Sequence, residues 1–276
     1  MTDTQLDHAR PGPLTRLRVE QSELTEGLPD DPVGICAAVQ SLFIQPFDAV
    51  PLGIPDARIA EKDIRPVSEL VSALTALDPA PLHRARPPEK RVVGSCRHFA
   101  TLACALLRAR GVPSRARCGF GTYFVEGRGA DHWVTEYWHD AERRWVRVDT
   151  EHLGKGFVER HEDLAPGEFL TGGEAWQRYR AGLIDPQMFG VVGTEHAWGP
   201  AEISGNTVRD LAALGKREML PWDEWGRMTE AYEGSTGAEY DELVDRVAET
   251  CAAEDQAALT RLFAHDELAV PQGMVG

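Results

Sequence analysis

Gly94-Ser95-Cys96-Arg97-His98-Phe99-Ala100-Thr101-Leu102-Ala103-Cys104-Ala105-Leu106-Leu107-Arg108-Ala109-Arg110-Gly111 carries the architecture of this chain. From Cys96 to about Arg110 almost no polar side is left, and a helix apolar all round is a buried one. Gly111 and Pro113 stop it, as expected at a helix C-terminus. Gly94-Ser95 can make a tight turn into the first residues, so Cys96 falls at the helix N-terminus. There the unpaired backbone N–H groups and the helix dipole favour a thiolate, the reactive form of cysteine. The Cys96 N–H is also a natural donor to an oxyanion.

Strand-like segments follow at about 114–124, 131–139 and 144–150. The second begins Asp131-His132-Trp133-Val134 and the third ends Trp145-Val146-Arg147-Val148-Asp149. A turn at Asp140-Ala141-Glu142-Arg143 makes them a hairpin. Centred there, the register sets Glu136 opposite Arg147 and Trp138 opposite Trp145, an opposite-charge pair and an aromatic pair. Asp149 then lies opposite Val134 and diagonal to His132 on one face. A one-residue slip would put His132 and Asp149 on opposite faces. In this register Cys96, His132 and Asp149 suit nucleophilic acyl transfer. Cys96 attacks, His132 accepts the thiol proton and later protonates the leaving amine, and Asp149 orients the imidazole.

Before the buried helix, Asp31-Pro32 reads as a cap and first helical residue, with Val33, Cys36, Val39, Leu42 and Phe43 at helical spacing. Residues 44–64 hold three prolines and a glycine and read as loop. A second amphipathic helix is expected over 67–77, and 78–91 as a connection. Beyond about 160 the pattern is helical at 173–182, 206–214, 222–233, 239–250 and 254–264, with Asn206 and Gly215 as caps of the second of these. The expected domains are an arm over 1–28, a catalytic core over 29–160 and a helical region over 161–276 packed on that core.

Composition narrows the function. The net charge is −15, from 29 Lys and Arg against 44 Asp and Glu. Such a chain repels nucleic acid and anionic membranes, so neither is an expected partner. Arg108, Arg110, Arg115 and Arg117 read as cations on a solvated face rather than a basic site. Apolar runs fall well short of the ~20 residues of a membrane span. The first residues lack the basic and apolar regions of a signal peptide, so a cytoplasmic location is expected. The five cysteines form no Cys-x-x-Cys pair and should be reduced, with Cys36, Cys104, Cys118 and Cys251 as packing residues. No metal and no cofactor is expected; a metal shared by Cys96 and His98 is the disfavoured reading. His98 and Trp133 are secondary candidates for substrate contact, against a surface position for His98 and a core position for Trp133. His139 and His152 read as surface residues at strand ends.

These residues resemble the transglutaminase-like superfamily, whose members share a papain-like core. The resemblance runs from about Asp31 to His152 and is strongest from Gly94 to Phe120, then in His132-Trp133-Val134 and Trp145-Val146-Arg147-Val148-Asp149. It implies an α+β fold in which the buried catalytic helix packs on an antiparallel sheet, with a helical C-terminal elaboration. It assigns Cys96, His132 and Asp149 the three catalytic positions. It also implies an oxyanion donor upstream of the cysteine, for which Gln40 and Gln45 are candidates. No acidic loop cluster suggests calcium activation. The chemistry implied is a thioester formed from an amide or thioester carbonyl and passed to water or an amine. Hydrolysis is the default, since water is always present. Amide-bond formation in small-molecule biosynthesis, or a non-catalytic binding protein on the same fold, are the alternatives. The expected partners are a peptide-like or small-molecule acyl donor and an amine acceptor.

Overall fold

The computed structural model describes residues 7–275; the sequence expectations for residues 1–6 and 276 lie outside them. Helices and strands are mixed. The helices are α1 (Pro32–Gln40), α2 (Pro46–Ala49), α3 (Val67–Leu77), α4 (Cys96–Ala109), α5 (Gly172–Arg180), α6 (Pro200–Leu214), α7 (Met228–Tyr232), α8 (Ala238–Ala253) and α9 (Gln256–Phe263). The strands are β1 (Phe43–Ile44), β2 (Val92–Val93), β3 (Ser114–Gly121), β4 (Gly129–His139), β5 (Arg144–Val148), β6 (Phe169–Thr171) and β7 (Phe189–Gly190). β1 and β2 form a short parallel ribbon, and the larger sheet runs β5-β4-β3-β6 with β7 paired to β4. No helix among the described residues is long and apolar enough to cross a membrane.

The chain divides into two compact units. One comprises Asp7–Ala116 and Val134–Leu164, and the other Arg117–Trp133 and the chain from Ala165 onward. In the first, α4 buries every residue but its last, Arg97, His98 and Arg108 included. Leu102, Leu106 and Leu107 of α4 share one core with Ile35 and Val39 of α1, Leu70 and Leu74 of α3, and Tyr137, Val146 and Val148 of β4 and β5. Each such side chain contributes about 1.5–3 kcal/mol by leaving water. Asp31 caps α1 by accepting the Gly34 N–H, and Pro32 opens the helix as the sequence predicts. Gly111, at φ +75°, supplies the left-handed residue that ends the turn after α4.

The hairpin register is the predicted one: Glu136 faces Arg147 and Trp138 faces Trp145. Glu136 is buried between two guanidinium groups, Arg115 Nε at 2.5 Å and Arg147 Nε at 2.7 Å. Arg115 also stacks 4.0 Å over Trp145. The solvated arginine face is therefore corrected for Arg108, Arg115 and Arg117, whereas Arg110 is exposed as expected. Arg108 and Arg115 are buried, and Arg108 binds the Ser114 carbonyl and Thr15 Oγ1. The 44–64 loop is corrected too, since it contains α2 and a 3-10 helix over Asp56–Asp63. In the segment read as an arm, Leu14 is fully buried and its carbonyl accepts the Val67 N–H at 2.8 Å.

In the second unit α5 packs on α6 and α8. Arg117 is buried there against Asp210, in a two-pronged pair at 2.9 and 2.7 Å. Asn206 is no cap: α6 begins six residues earlier, at Pro200, and Asn206 is a buried mid-helix residue. Its amide donates to Asp131 Oδ1 at 2.8 Å and its oxygen accepts from Arg209 at 3.0 Å. These partners, distant in sequence, explain a polar side chain inside a helix. The helix expected over 222–233 is reduced to α7, because Asp223 instead closes a turn onto the Leu220 N–H.

Candidate active site

The β1–β2 ribbon sets the position of the thiol. Phe43 pairs with Val92 and Ile44 with Val93, and the Gly94 N–H continues the ladder to the Ile44 carbonyl at 2.9 Å. Two chain segments therefore leave the same end of the ribbon side by side. One runs through Gly94-Ser95 into Cys96, the first residue of α4, and the other runs into Gln45 at the start of α2. Cys96 is 6 % exposed and stands in the first turn of a long buried helix. Partial positive charge there lowers the cost of the thiolate.

His98 is not a surface residue, as the sequence suggested, but is fully buried. Its Nδ1 accepts the Ser95 N–H at 3.0 Å, and its Nε2 faces the Ile64 carbonyl at 3.1 Å. An acceptor Nδ1 and a donor Nε2–H define a neutral ring. Burial, aided by the neighbouring Arg97, pushes its pKa down to about 3. Gly94 makes room for the ring, since a Cβ there would sit 3.0 Å from His98 Cβ. With both nitrogens bonded, His98 offers no ligand for a metal shared with Cys96. Its role is to hold the first turn of α4.

Asp149 is fully buried just beyond β5. Its N–H donates to the His161 carbonyl at 2.9 Å. Its carboxylate accepts from the His152 N–H at 3.1 Å and lies 3.0 Å from His152 Nδ1. His161 Nε2 accepts the Phe157 N–H at 3.2 Å, which leaves the ring proton on Nδ1, 3.7 Å from Asp149 Oδ2. His152 is therefore no surface residue, and neither histidine was found as a partner of Asp149 from sequence. His152 follows Asp149 at i,i+3, a local signal that could have found it; His161 carries none.

His132 lies on β4, buried, with the Phe124 and Tyr123 rings edge-on at 5.1 and 6.5 Å. Trp133 is buried. The neighbouring Asp131 carboxyl is pushed up to about 6 by desolvation and by Glu202, against the opposing Asn206 amide.

The two glutamines differ in what they have left to give. Gln40 Nε2 donates both protons, to the carbonyls of Glu151 at 3.0 Å and Leu153 at 2.8 Å. It ties the chain after Asp149 to the end of α1 and has no proton for an oxyanion. Gln45 Nε2 donates one proton, to Glu151 Oε1 at 2.7 Å, and keeps the other. Glu151 was not singled out from sequence. One of its carboxylate oxygens lies within 4.8 Å of Cys96 Sγ.

Residues 75–150 match the family model of the transglutaminase-like superfamily. The matched segment holds the end of α3, β2, α4, β3, β4 with His132, and β5 with Asp149 just beyond its end. No curated protein and no solved structure matches the chain.

Proposed function

We propose that this chain is a transglutaminase-like cysteine enzyme that forms a thioester on Cys96 and passes the acyl group to water or an amine. The observation that carries the reading is a single thiol in the first turn of a buried helix, inside the segment that matches the family. In this reading His132 is the base and Asp149 its orienting carboxylate. The β4–β5 register supports it. Extended by one pair, it sets Asp149 opposite Val134, and His132 is two residues away on the same unbroken strand, hence on the same face. Diagonal neighbours on a face are about 7–8 Å apart at the backbone, within reach of the two side chains.

The Cys96 thiolate attacks the acyl carbon, and the oxyanion is met by the Cys96 N–H and the remaining proton of Gln45. The imidazolium of His132 then protonates the leaving amine. Water or an incoming amine, losing a proton to His132, releases the acyl group and restores the thiolate.

The test is thiol reactivity. All five cysteines are buried, and burial pushes Cys36 up to about 12. Brief, limiting iodoacetamide at about pH 6.5 should label Cys96 well ahead of the others, read by peptide mass spectrometry, and His132→Ala should remove that lead. Labelling of Cys96 no faster than Cys36 or Cys251 would refute an activated nucleophile and favour a binding protein on this fold.

A further inference from the structure

Glu151 is 3 % exposed, and its two carboxylate oxygens are treated differently. Oε1 accepts from Gln45 Nε2 and lies 3.6 Å from His152 Nε2. Oε2 is buried with no hydrogen-bond partner. An ionised oxygen taken out of water is costly unless a donor reaches it, so this position calls for a donor from outside the chain.

Glu151 lines a cavity of about 260 Å³. Its apolar walls are Phe43, Ile44, Leu52 and Phe99, the last one helical turn after Cys96. Two cations, Arg91 and Lys155, also line it. Arg91 spends only its Nε, on the Arg86 carbonyl at 2.7 Å, and Lys155 Nζ meets no carboxylate among the described residues. Asp48 adds an exposed carboxylate to the lining. A carboxylate with a buried oxygen that lacks a donor, two cations that lack an anion, and an apolar wall thus line one cavity, and that carboxylate has an oxygen within 4.8 Å of Cys96 Sγ.

We propose that this cavity is the acceptor subsite and that it takes an amino-acid-like primary amine: ammonium on Glu151, carboxylate on Arg91 and Lys155, apolar body against Phe43 and Leu52. The chemistry rests on the cysteine reading above; the binding does not. In the transfer step the ammonium gives one proton to Glu151 Oε2, and the freed nitrogen lone pair attacks the thioester carbonyl. The C–S bond breaks with its electrons on Cys96 sulfur, and His132 takes the second proton from the nitrogen. The products are an amide, a thiolate, an imidazolium and a protonated Glu151, so charge and protons balance. Glu151 thereby chooses an amine over water, which needs no such anchor.

Calorimetry on the full chain tests the binding with three probes: leucine, leucinamide (no carboxylate) and 4-methylpentanoate (no ammonium). Leucine should bind at least about tenfold more tightly than either control. Glu151→Gln should weaken leucine and leucinamide by roughly tenfold while sparing 4-methylpentanoate. Lys155→Ala, at an exposed position where folding is not at stake, should weaken leucine and 4-methylpentanoate and spare leucinamide. Leucine that binds no better than the single-charge probes, or unchanged binding in both variants, would overturn the subsite. Acetylation of Cys96 by p-nitrophenyl acetate, followed by mass, separates the two ideas. Leucine binding without acetylation keeps the subsite and refutes the cysteine chemistry. Acetylation whose release leucine does not accelerate over leucinamide refutes the acceptor role and keeps the thiol.

Discussion

At His98 both ring nitrogens are bonded inside the protein, so the side chain neither relays a proton nor meets a substrate. It acts as Glu does in a capping box, returning from the third helical position to the N–H of the residue that caps the helix. His98→Ala leaves the Ser95 N–H and the Ile64 carbonyl buried without a partner and opens a cavity. The expected loss is about 2–4 kcal/mol of stability in urea unfolding. His98→Gln keeps an acceptor within reach of Ser95 and should recover much of it. Asp131 gives a pH signature. Its folded pKa, about 6, is raised above the ordinary carboxyl value of 3.8, so its contribution to stability is complete below the unfolded value and lost as pH rises through about 6. Asp131→Asn keeps an oxygen for the Asn206 amide and cannot ionise. The variant should melt higher than the parent at pH 8, with the difference vanishing towards pH 3. A constant difference across that range would place the cause elsewhere.

Among the elements, the short β1–β2 ribbon distinguishes the two candidate glutamines. Gln45 leaves the ribbon beside Gly94, whereas Gln40 closes α1 and spends both its protons on carbonyls. Gln45→Ala is expected to slow acylation of Cys96 by about 10²–10³-fold, the usual effect of losing an oxyanion donor, and to cost about 1–3 kcal/mol of stability because it takes the donor from the buried Glu151 Oε1. Gln40→Ala should leave acylation nearly unchanged, while freeing the chain at Glu151 and Leu153 lowers stability by about 1–3 kcal/mol. Urea unfolding and single-turnover acylation, run on both variants, separate the two. The ribbon itself was illegible in the sequence. Two residues per strand carry no period, and three prolines made the region look like loop. The β4–β5 hairpin was legible because its evidence is local: alternation, a turn, and the Glu136–Arg147 and Trp138–Trp145 pairs. The first turn of α4 was half legible. Cys96 was found at the helix start, but the pattern Ser-x-x-His conceals a cap usually written with Glu or Gln. Arg108 and Arg115 were read as solvated because their partners, Thr15 and Glu136, lie far off in the chain.

Over the whole molecule, the segment that matches a family is not the same as a unit of folding. Residues 117–133 fall within that segment, yet they belong to the unit that includes everything from residue 165 onward. Arg117 is buried against Asp210, and the Cys118 N–H donates to the same carboxylate at 3.0 Å. Gly119, Phe120 and Gly121 pair with β6, and Asp131 accepts from Asn206. A chain ending at residue 164 loses all of these partners together and leaves a guanidinium without its carboxylate. Breaking such a buried pair costs about 3–5 kcal/mol, a large fraction of the stability of any domain. The expected outcome is that a fragment over residues 1–164 shows no cooperative unfolding transition, even though it contains Cys96, His132 and Asp149. In the full chain, Asp210→Ala should lower stability by about 3–5 kcal/mol. Asp210→Asn, which keeps an acceptor for the Cys118 N–H, should cost less. A cooperative transition in the fragment would mean that residues 117–133 hold their strands without α6. The C-terminal helices would then be free to serve substrate selection alone.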